Sequence, residues 1–267
     1  MNLRRAYAVF LRHVYLMRGN PARIVPLFAW VCIDIILWGF ITRYFSSVMG
    51  DKLNLVPVLL GAVLLWDFFS RVMHGVTMAF FEDVWSRNFL NIFASPLSIT
   101  EYVSGLVLSS IVTSAIGLLA MAAIASAIFG LSFTIYGPPI AAFLLILFLF
   151  GVALGIIGCA IVLRLGPAAE WLIWPVPMLV SPFVGVFYPL STLPVWMQYI
   201  SRILPPAYVF EGMRGIVSGH TVSASALMLG TGLVIVYLVL ACVYFVSVYR
   251  HSVRTGLIAR YSAETVS

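Results

Sequence analysis

Long apolar stretches dominate this sequence, and each is long enough to cross a membrane as a helix. There are six, at residues 24–43, 56–81, 100–129, 137–163, 170–188 and 224–249. A helix needs roughly 20 apolar residues to cross a hydrocarbon core of about 30 Å. The stretches are continuously apolar, without the polar alternation of a water-filled β-barrel. We therefore predict an all-α integral membrane protein with six transmembrane helices, as a single domain over residues 1–267.

Lysine is almost absent, because Lys52 is the only one among 267 residues. A phosphate-binding loop ending in Gly-Lys-Ser/Thr therefore cannot be placed anywhere in this chain. Of all residues, 63% are hydrophobic and 9% are charged, as is typical of a membrane protein. Any nucleotide hydrolysis must take place on another polypeptide.

The net charge of +6 follows the predicted topology. By the positive-inside rule, the side of the membrane with more basic residues is cytoplasmic, so both termini are predicted to lie in the cytoplasm. This distribution explains the excess charge better than nucleic-acid binding does. The ten predicted cytoplasmic residues are Arg4, Arg5, Arg12, Arg18, Arg23, Arg87, Arg164, Arg250, Arg254 and Arg260, against Arg43, Lys52, Arg202 and Arg214 outside.

Residues 1–22 carry the pattern of an amphipathic helix at the membrane interface. The apolar residues recur at spacings of four, three, four and three, while arginines occupy another sector. Two roles remain open, an anchor on anionic lipid and a docking surface for a cytoplasmic partner, and periodicity alone favours the anchor. The apolar positions are Leu3, Tyr7, Phe10, Val14 and Met17.

Two further segments interrupt the pattern of spans. Residues 82–97 mix charged and aromatic side chains and predict a short cytoplasmic helix that stops before Pro96. Residues 189–219 contain prolines at 189, 194, 205 and 206, which leave too little uninterrupted helix to cross. Because this segment is also strongly apolar, it predicts a re-entrant hairpin in the outer leaflet.

Both segments resemble a known family. The sequence FFEDVWSRNFLNIFASPLSITEYVSG at residues 80–105 is similar to the coupling region of type-2 ABC transporter permeases. The sequence GVFYPLSTLPVWMQYISRILPPAYVFEGMR at residues 185–214 resembles the outer hairpin of the same family more closely. With six spans and an N-terminal amphipathic helix, the resemblance covers essentially the whole chain.

The resemblance implies the membrane subunit of a bacterial ABC exporter in the cytoplasmic (inner) membrane. Two ATPase subunits, which would carry ATP and Mg²⁺, would bind its cytoplasmic face, and a second permease copy would complete the pathway, giving a homodimer or a pair of related subunits. The ATPase contact would fall on Glu82, Asp83, Trp85 and Arg87. The outer gate hairpin would include Pro194, Trp196, Gln198, Tyr199, Pro205 and Tyr208.

Four polar side chains lie within predicted spans, namely Asp34, Asp67, Arg71 and His74. Charges at that depth are costly unless they are paired or hydrated, and they often mark functional sites. The spacing of four and three puts the last three on one helix face. An Asp67–Arg71 ion pair that locks the two helices together, with Asp34 as a third partner, is favoured over a substrate-contacting or pathway-lining role, and both remain open.

Three classes of function fit these features to different degrees. The leading hypothesis is an ATP-driven exporter of an amphiphilic, lipid-linked or glycan-like substrate. The alternative is an ion-coupled secondary transporter that uses Asp34, Asp67 and His74, but it leaves the segment at 82–97 unexplained. An intramembrane enzyme or a metal site would need a convergent set of catalytic groups or ligands, and the sequence offers no such motif.

Overall fold

The structure is a computed structural model, and it describes residues 2–19, 21–49, 55–86, 91–92 and 95–256. Within these ranges the regular structure is helical and contains no strand, which confirms the predicted all-α class. The long helices are α1 (Leu3–Arg18), α2 (Pro21–Met49), α3 (Leu55–Trp85), α4 (Ile99–Phe129), α5 (Pro139–Leu165) and α10 (Ala224–Arg254). The shorter ones are α6 (Glu170–Ile173), α7 (Val176–Val184), α8 (Val195–Arg202) and α9 (Pro205–Val217).

Four of the described helices are long and apolar enough to cross a membrane: α4, α5, α10 and Val56–Trp85 of α3. The chain is therefore a multi-pass membrane protein. Helix α2, with 29 residues, covers the first predicted span. The fifth predicted span is not one continuous helix, because α6 ends before Trp174-Pro175 and α7 begins after it. The six-span topology stays a prediction.

Helix α3 lies at the centre of the bundle, between α4 and α5, and α10 packs on α5. The approach of α3 to α5 depends on two glycines of α5. A Cβ atom on Gly151 would lie 3.0 Å from the Phe69 carbonyl oxygen, and one on Gly155 would lie 3.0 Å from that of Met73. Small residues in this spacing let two helix backbones come close in a membrane, where apolar burial alone does not drive association.

Aromatic rings fill the core across three helices. The ring of Phe69 in α3 lies 4.9 Å from that of Trp66 and 5.5 Å from that of Phe150 in α5. Phe150 in turn meets Tyr237 of α10 edge to face at 5.1 Å. Aromatic pairs in these geometries contribute beyond their buried area. These rings pack α3, α5 and α10 together in the core of the bundle.

The loop between α4 and α5 is fastened to the start of α3. Tyr136, in a 3₁₀ turn at Phe133–Tyr136, donates its hydroxyl hydrogen to the Pro57 carbonyl at 2.6 Å. Gly61 leaves the space for this ring, because a Cβ there would lie 2.0 Å from the Tyr136 hydroxyl oxygen. Burial raises the pKa of Tyr136, so the phenol stays a proton donor at neutral pH.

Candidate functional site

The starts of α1 and α4 are joined by one carboxylate. Ser98 and Glu101 form a capping box, in which the Ser98 hydroxyl accepts from the Glu101 N–H at 3.3 Å and Glu101 Oε2 accepts from the Ser98 N–H at 3.0 Å. Glu101 Oε1 also accepts from the backbone N–H of Asn2, at 2.6 Å. The guanidinium of Arg5 lies 3.7 Å from the same carboxylate. Glu101 therefore starts α4 and holds the first turn of α1 against it.

A second carboxylate joins α1, α3 and α4. The side chain of Asp83 is 0% exposed, and its Oδ2 accepts from the Tyr102 hydroxyl at 2.7 Å. Arg12 Nη1 lies 2.5 Å from Asp83 Oδ1, an ion pair at an angle outside hydrogen-bond geometry. The Arg12 side chain is 32% exposed. A fully buried carboxylate needs such partners to remain charged, so this network fixes the register of the three helices.

His13 and Gly105 complete what we name the α1 junction, made up of Arg12, His13, Asp83, Glu101, Tyr102 and Gly105. The buried His13 ring places Nε2 at 3.1 Å from the Ala79 carbonyl of α3 and Nδ1 at 3.2 Å from that of Val9. A Cβ on Gly105 would lie 2.5 Å from Val9 Cβ and 2.9 Å from the Ala6 carbonyl oxygen. The backbones of α1 and α4 thus come together where only glycine fits. Helix α1 is docked on α3 and α4 rather than detached from them.

The four residues predicted to contact an ATPase do not share one environment. Asp83 is buried in the α1 junction, and Glu82 is half-buried. Trp85 is 49% exposed and donates its indole N–H to Glu170 Oε2 at 2.8 Å, which ties the end of α3 to α6. Arg87 lies outside the described residues. Of the described residues among the four, Trp85 is the exposed one and Glu82 is partly exposed. Asp83 is buried beneath them.

The intramembrane polar cluster is brought together in part. Arg71 donates from Nε to Asp67 Oδ2 at 2.8 Å and from Nη2 to Oδ1 at 3.2 Å, a two-point ion pair within α3. Asp34 of α2 is close enough to interact electrostatically with both. The His74 ring lies 4.9 Å from the Trp174 ring, at the break between α6 and α7. Within the described ranges, no three His, Cys, Asp or Glu side chains converge as metal ligands.

The predicted hairpin consists of a 3₁₀ turn at Leu190–Thr192, then α8 and the start of α9. Two of its polar groups fasten it locally: Gln198 Nε2 donates to the Leu193 carbonyl at 2.9 Å, and the Tyr208 hydroxyl donates to the Arg202 carbonyl at 2.8 Å. Trp196 and Tyr199 are exposed, whereas Pro205 is buried at the start of α9. Pro194 is the N-cap of α8. The position of the hairpin in the membrane stays a prediction.

An ion pair that sequence reasoning missed closes the base of the hairpin. Arg214 Nη1 donates to the Gly185 carbonyl at 2.6 Å, and Nη2 donates to Glu211 Oε1 at 2.9 Å. The same Glu211 oxygen accepts from the Leu190 N–H at 2.7 Å. Gly185 has a φ of 63°, a conformation that favours glycine. Residues 185–190 are therefore held by α9 at both ends.

The α1 junction was also missed as a unit, although one signal was present. The spacing Ser98-x-x-Glu101 is a capping box and predicts a helix start at residue 99. Nothing in the local sequence indicates that Tyr102 meets Asp83, or that Arg12 reaches α3. These contacts depend on how the helices pack.

One family comparison covers most of the molecule. The family model described as ABC-2 type transporter matches residues 8–218 of the 267-residue chain. The match includes most of α1, together with the α1 junction, the polar cluster and nearly all of the hairpin segment at 189–219. A comparison with curated proteins gives no significant match.

Proposed function

Because this chain belongs to the ABC-2 type transporter family, whose members are membrane transport components that generally work with an ATPase partner, we propose that it is the permease subunit of an ATP-driven exporter. The family match over residues 8–218 carries this proposal. The absence of a phosphate-binding loop agrees with it, since Lys52 is the only lysine. ATP and Mg²⁺ would be bound by the partner. The plasma membrane of a bacterium is the proposed location.

The α1 junction supports a route for coupling. Asp83 and Trp85 lie at the end of α3 and within the predicted coupling segment at 82–97. Arg12 and Tyr102 hold Asp83, so a displacement of this end by an ATPase moves α1 and α4 as well. The contact itself is proposed for Glu82, Trp85 and Arg87. Asp83 does not make the contact in this proposal, and instead fixes the end of α3 through its bonds to Arg12 and Tyr102.

A second permease copy is proposed to cover α6 and α7. Their large apolar side chains are exposed in the single chain, with Trp171 at 74% and Met178 at 78%. The helix is interrupted between them at Trp174-Pro175, and backbone groups freed in a membrane need protein or a wet cavity beside them. His74 lies against this interruption. A homodimer with a shared pathway along this face would cover the exposed apolar side chains and place protein or a wet cavity beside the freed backbone groups.

The proposed substrate is amphiphilic, lipid-linked or glycan-like. The polar cluster in the bundle and the apolar, locally fastened hairpin suit a pathway that handles both polar and apolar groups. Under the proposed topology, with both termini cytoplasmic, the hairpin closes the outer end. Single cysteines at Thr192 and Gln198, in a background without Cys32, Cys159 and Cys242, are expected to react with an impermeant maleimide from outside only. Labelling solely from the cytoplasm would contradict this topology.

The direct test is affinity purification of the tagged chain from its native membrane in mild detergent. We expect a polypeptide with a phosphate-binding loop to co-purify in a one-to-one ratio and to hydrolyse ATP. Glu82→Lys should lower the hydrolysis rate without lowering the folded yield of the permease. Purification of the chain without any such ATPase, together with transport driven by an ion gradient, would instead favour the secondary transporter that uses Asp34, Asp67 and His74.

A further inference from the structure

A cavity of about 270 Å³ lies between α1 and α4, on the side of α1 away from its buried ion pair with Asp83. Its walls are mostly hydrocarbon, from Phe10, Val14 and Met17 of α1 and from Val112, Ile116 and Gly117 of α4. For comparison, an apolar cavity of about 150 Å³ holds a benzene molecule. The space between α1 and α4 is therefore large enough for a segment of an acyl chain.

Apart from the two arginines, the polar residues around the cavity are already engaged. The hydroxyls of Ser109 and Thr113 donate to carbonyls one turn back in α4, at 3.1 Å and 3.0 Å. The ring nitrogens of His13 face the carbonyls of Val9 and Ala79. A water molecule in the cavity would find few partners, and an apolar cavity without partners for water favours hydrocarbon.

Two arginines line the cavity, and their surroundings differ. Arg71 is paired with Asp67, and its Cδ would lie 2.6 Å from a Cβ on Gly117, so the glycine leaves the space that the arginine fills. Arg18 is exposed in the last turn of α1, and no acidic side chain in the described part of the chain forms an ion pair with it. The unneutralised positive charge at this cavity is therefore that of Arg18.

We propose that this cavity binds one anionic phospholipid, with an acyl chain between α1 and α4 and the phosphate at Arg18. The hydrocarbon walls fit the chain, and the charge of Arg18 complements the headgroup. The lipid fills the gap that remains between α1 and α4 beyond Gly105. This site is separate from the proposed ATPase contact, and it holds whether or not the exporter assignment is correct.

The test is native mass spectrometry of the full chain released from nanodiscs. The probes are phosphatidylglycerol and phosphatidylcholine with identical acyl chains. The wild type is expected to retain one phosphatidylglycerol per chain and to lose phosphatidylcholine. Arg18→Gln should lower the retention of phosphatidylglycerol about fivefold. Arg4→Gln, an equal charge change at an exposed position of α1 outside the cavity, should leave retention unchanged.

A second pair of variants tests the acyl-chain part of the site. Val112→Phe fills the cavity and should abolish retention, whereas Leu119→Phe, at an exposed position of α4 outside the cavity, should not. Ile116→Phe replaces Val112→Phe if that variant does not fold. Equal retention of the two lipids would overturn the proposal, as would an equal effect of Arg4→Gln and Arg18→Gln. Unchanged retention in both cavity-filling variants would overturn it as well.

Discussion

The Arg12–Asp83 pair of the α1 junction and the intramembrane pair Asp67–Arg71 both use a carboxylate of α3, but they connect different parts of the chain. Asp67 and Arg71 are four residues apart on one helix. Asp83 meets Arg12 of α1 and Tyr102 of α4, so its partners come from two other helices. When helices separate within a membrane, a pair inside one helix persists, whereas a pair between helices is lost. The first stabilises a helix, and the second stabilises the fold.

The comparison also separates two roles that charge alone does not distinguish. Asp83 lies in a charged segment that is predicted to be cytoplasmic, yet its side chain is fully buried. Asp67 occupies an apolar span, yet its side chain is 17% exposed in the single chain. The carboxylate of Asp83, which the sequence placed in the ATPase contact, is buried and held by Arg12 and Tyr102. Asp67 belongs to the polar cluster proposed for the pathway and keeps some exposure there.

The largest effect is expected from Asp83→Asn. The substitution keeps the size of the side chain but removes the charge that faces Arg12, and breaking a buried pair from one side costs about 3 kcal/mol at the lower end of its range. The lower end applies because Arg12 is partly exposed. Unfolding of the purified protein in detergent measures the loss. A loss no larger than that of Asp67→Asn would contradict the greater contribution of the pair between helices.

Gly105→Ala is expected to have the next largest effect. The added methyl group would meet Val9 and the Ala6 carbonyl, and overpacking of this kind costs about 1 to 3 kcal/mol. Gly232→Ala in α10 is the matched control, because nothing lies within 4 Å of a Cβ there. The midpoint of thermal unfolding should fall for the first variant and not for the second. Equal midpoints would mean that α1 does not depend on close contact with α4.

A smaller effect is expected at Asp67 and Arg71. Asp67→Asn and Arg71→Leu should each cost about 1 kcal/mol, since hydrogen bonds within membranes contribute little when the reference state also offers partners. The double variant should be no less stable than either single one. Urea or detergent unfolding series on the three variants provide the values. Losses that simply add would show that the two charges act independently.

The smallest effect is expected from Trp85→Phe, which removes one half-exposed hydrogen bond to Glu170. Such a bond contributes about 0.5 kcal/mol. Trp196→Phe is the control, because the structure gives its indole N–H no protein acceptor in the described part of the chain. A loss well above this value for Trp85→Phe would place this contact with the α1 junction rather than at its periphery.

The sequence predicted the features that depend on local pattern. Apolar length predicted the helix class and the long spans, and the spacing of four predicted the Asp67–Arg71 pair. It did not predict that Glu101 would hold the first turn of α1, or that Tyr102 would reach Asp83. The first contact depends on Gly105, which lets α1 approach α4, and the second depends on how α3 packs on α4. The sequence also did not predict the break at Trp174-Pro175 within the fifth predicted span, because that stretch is apolar in composition.

Two double-mutant cycles run side by side test the central difference most directly. One cycle combines Arg12→Gln with Asp83→Asn, and the other combines Arg71→Leu with Asp67→Asn, each read as the free energy of unfolding in the same detergent. We predict a coupling energy of about 2 kcal/mol for Arg12 and Asp83 and about 1 kcal/mol for Asp67 and Arg71. Additive losses at Arg12 and Asp83, or the larger coupling energy in the pair within α3, would contradict the conclusion that the α1 junction holds the three helices together.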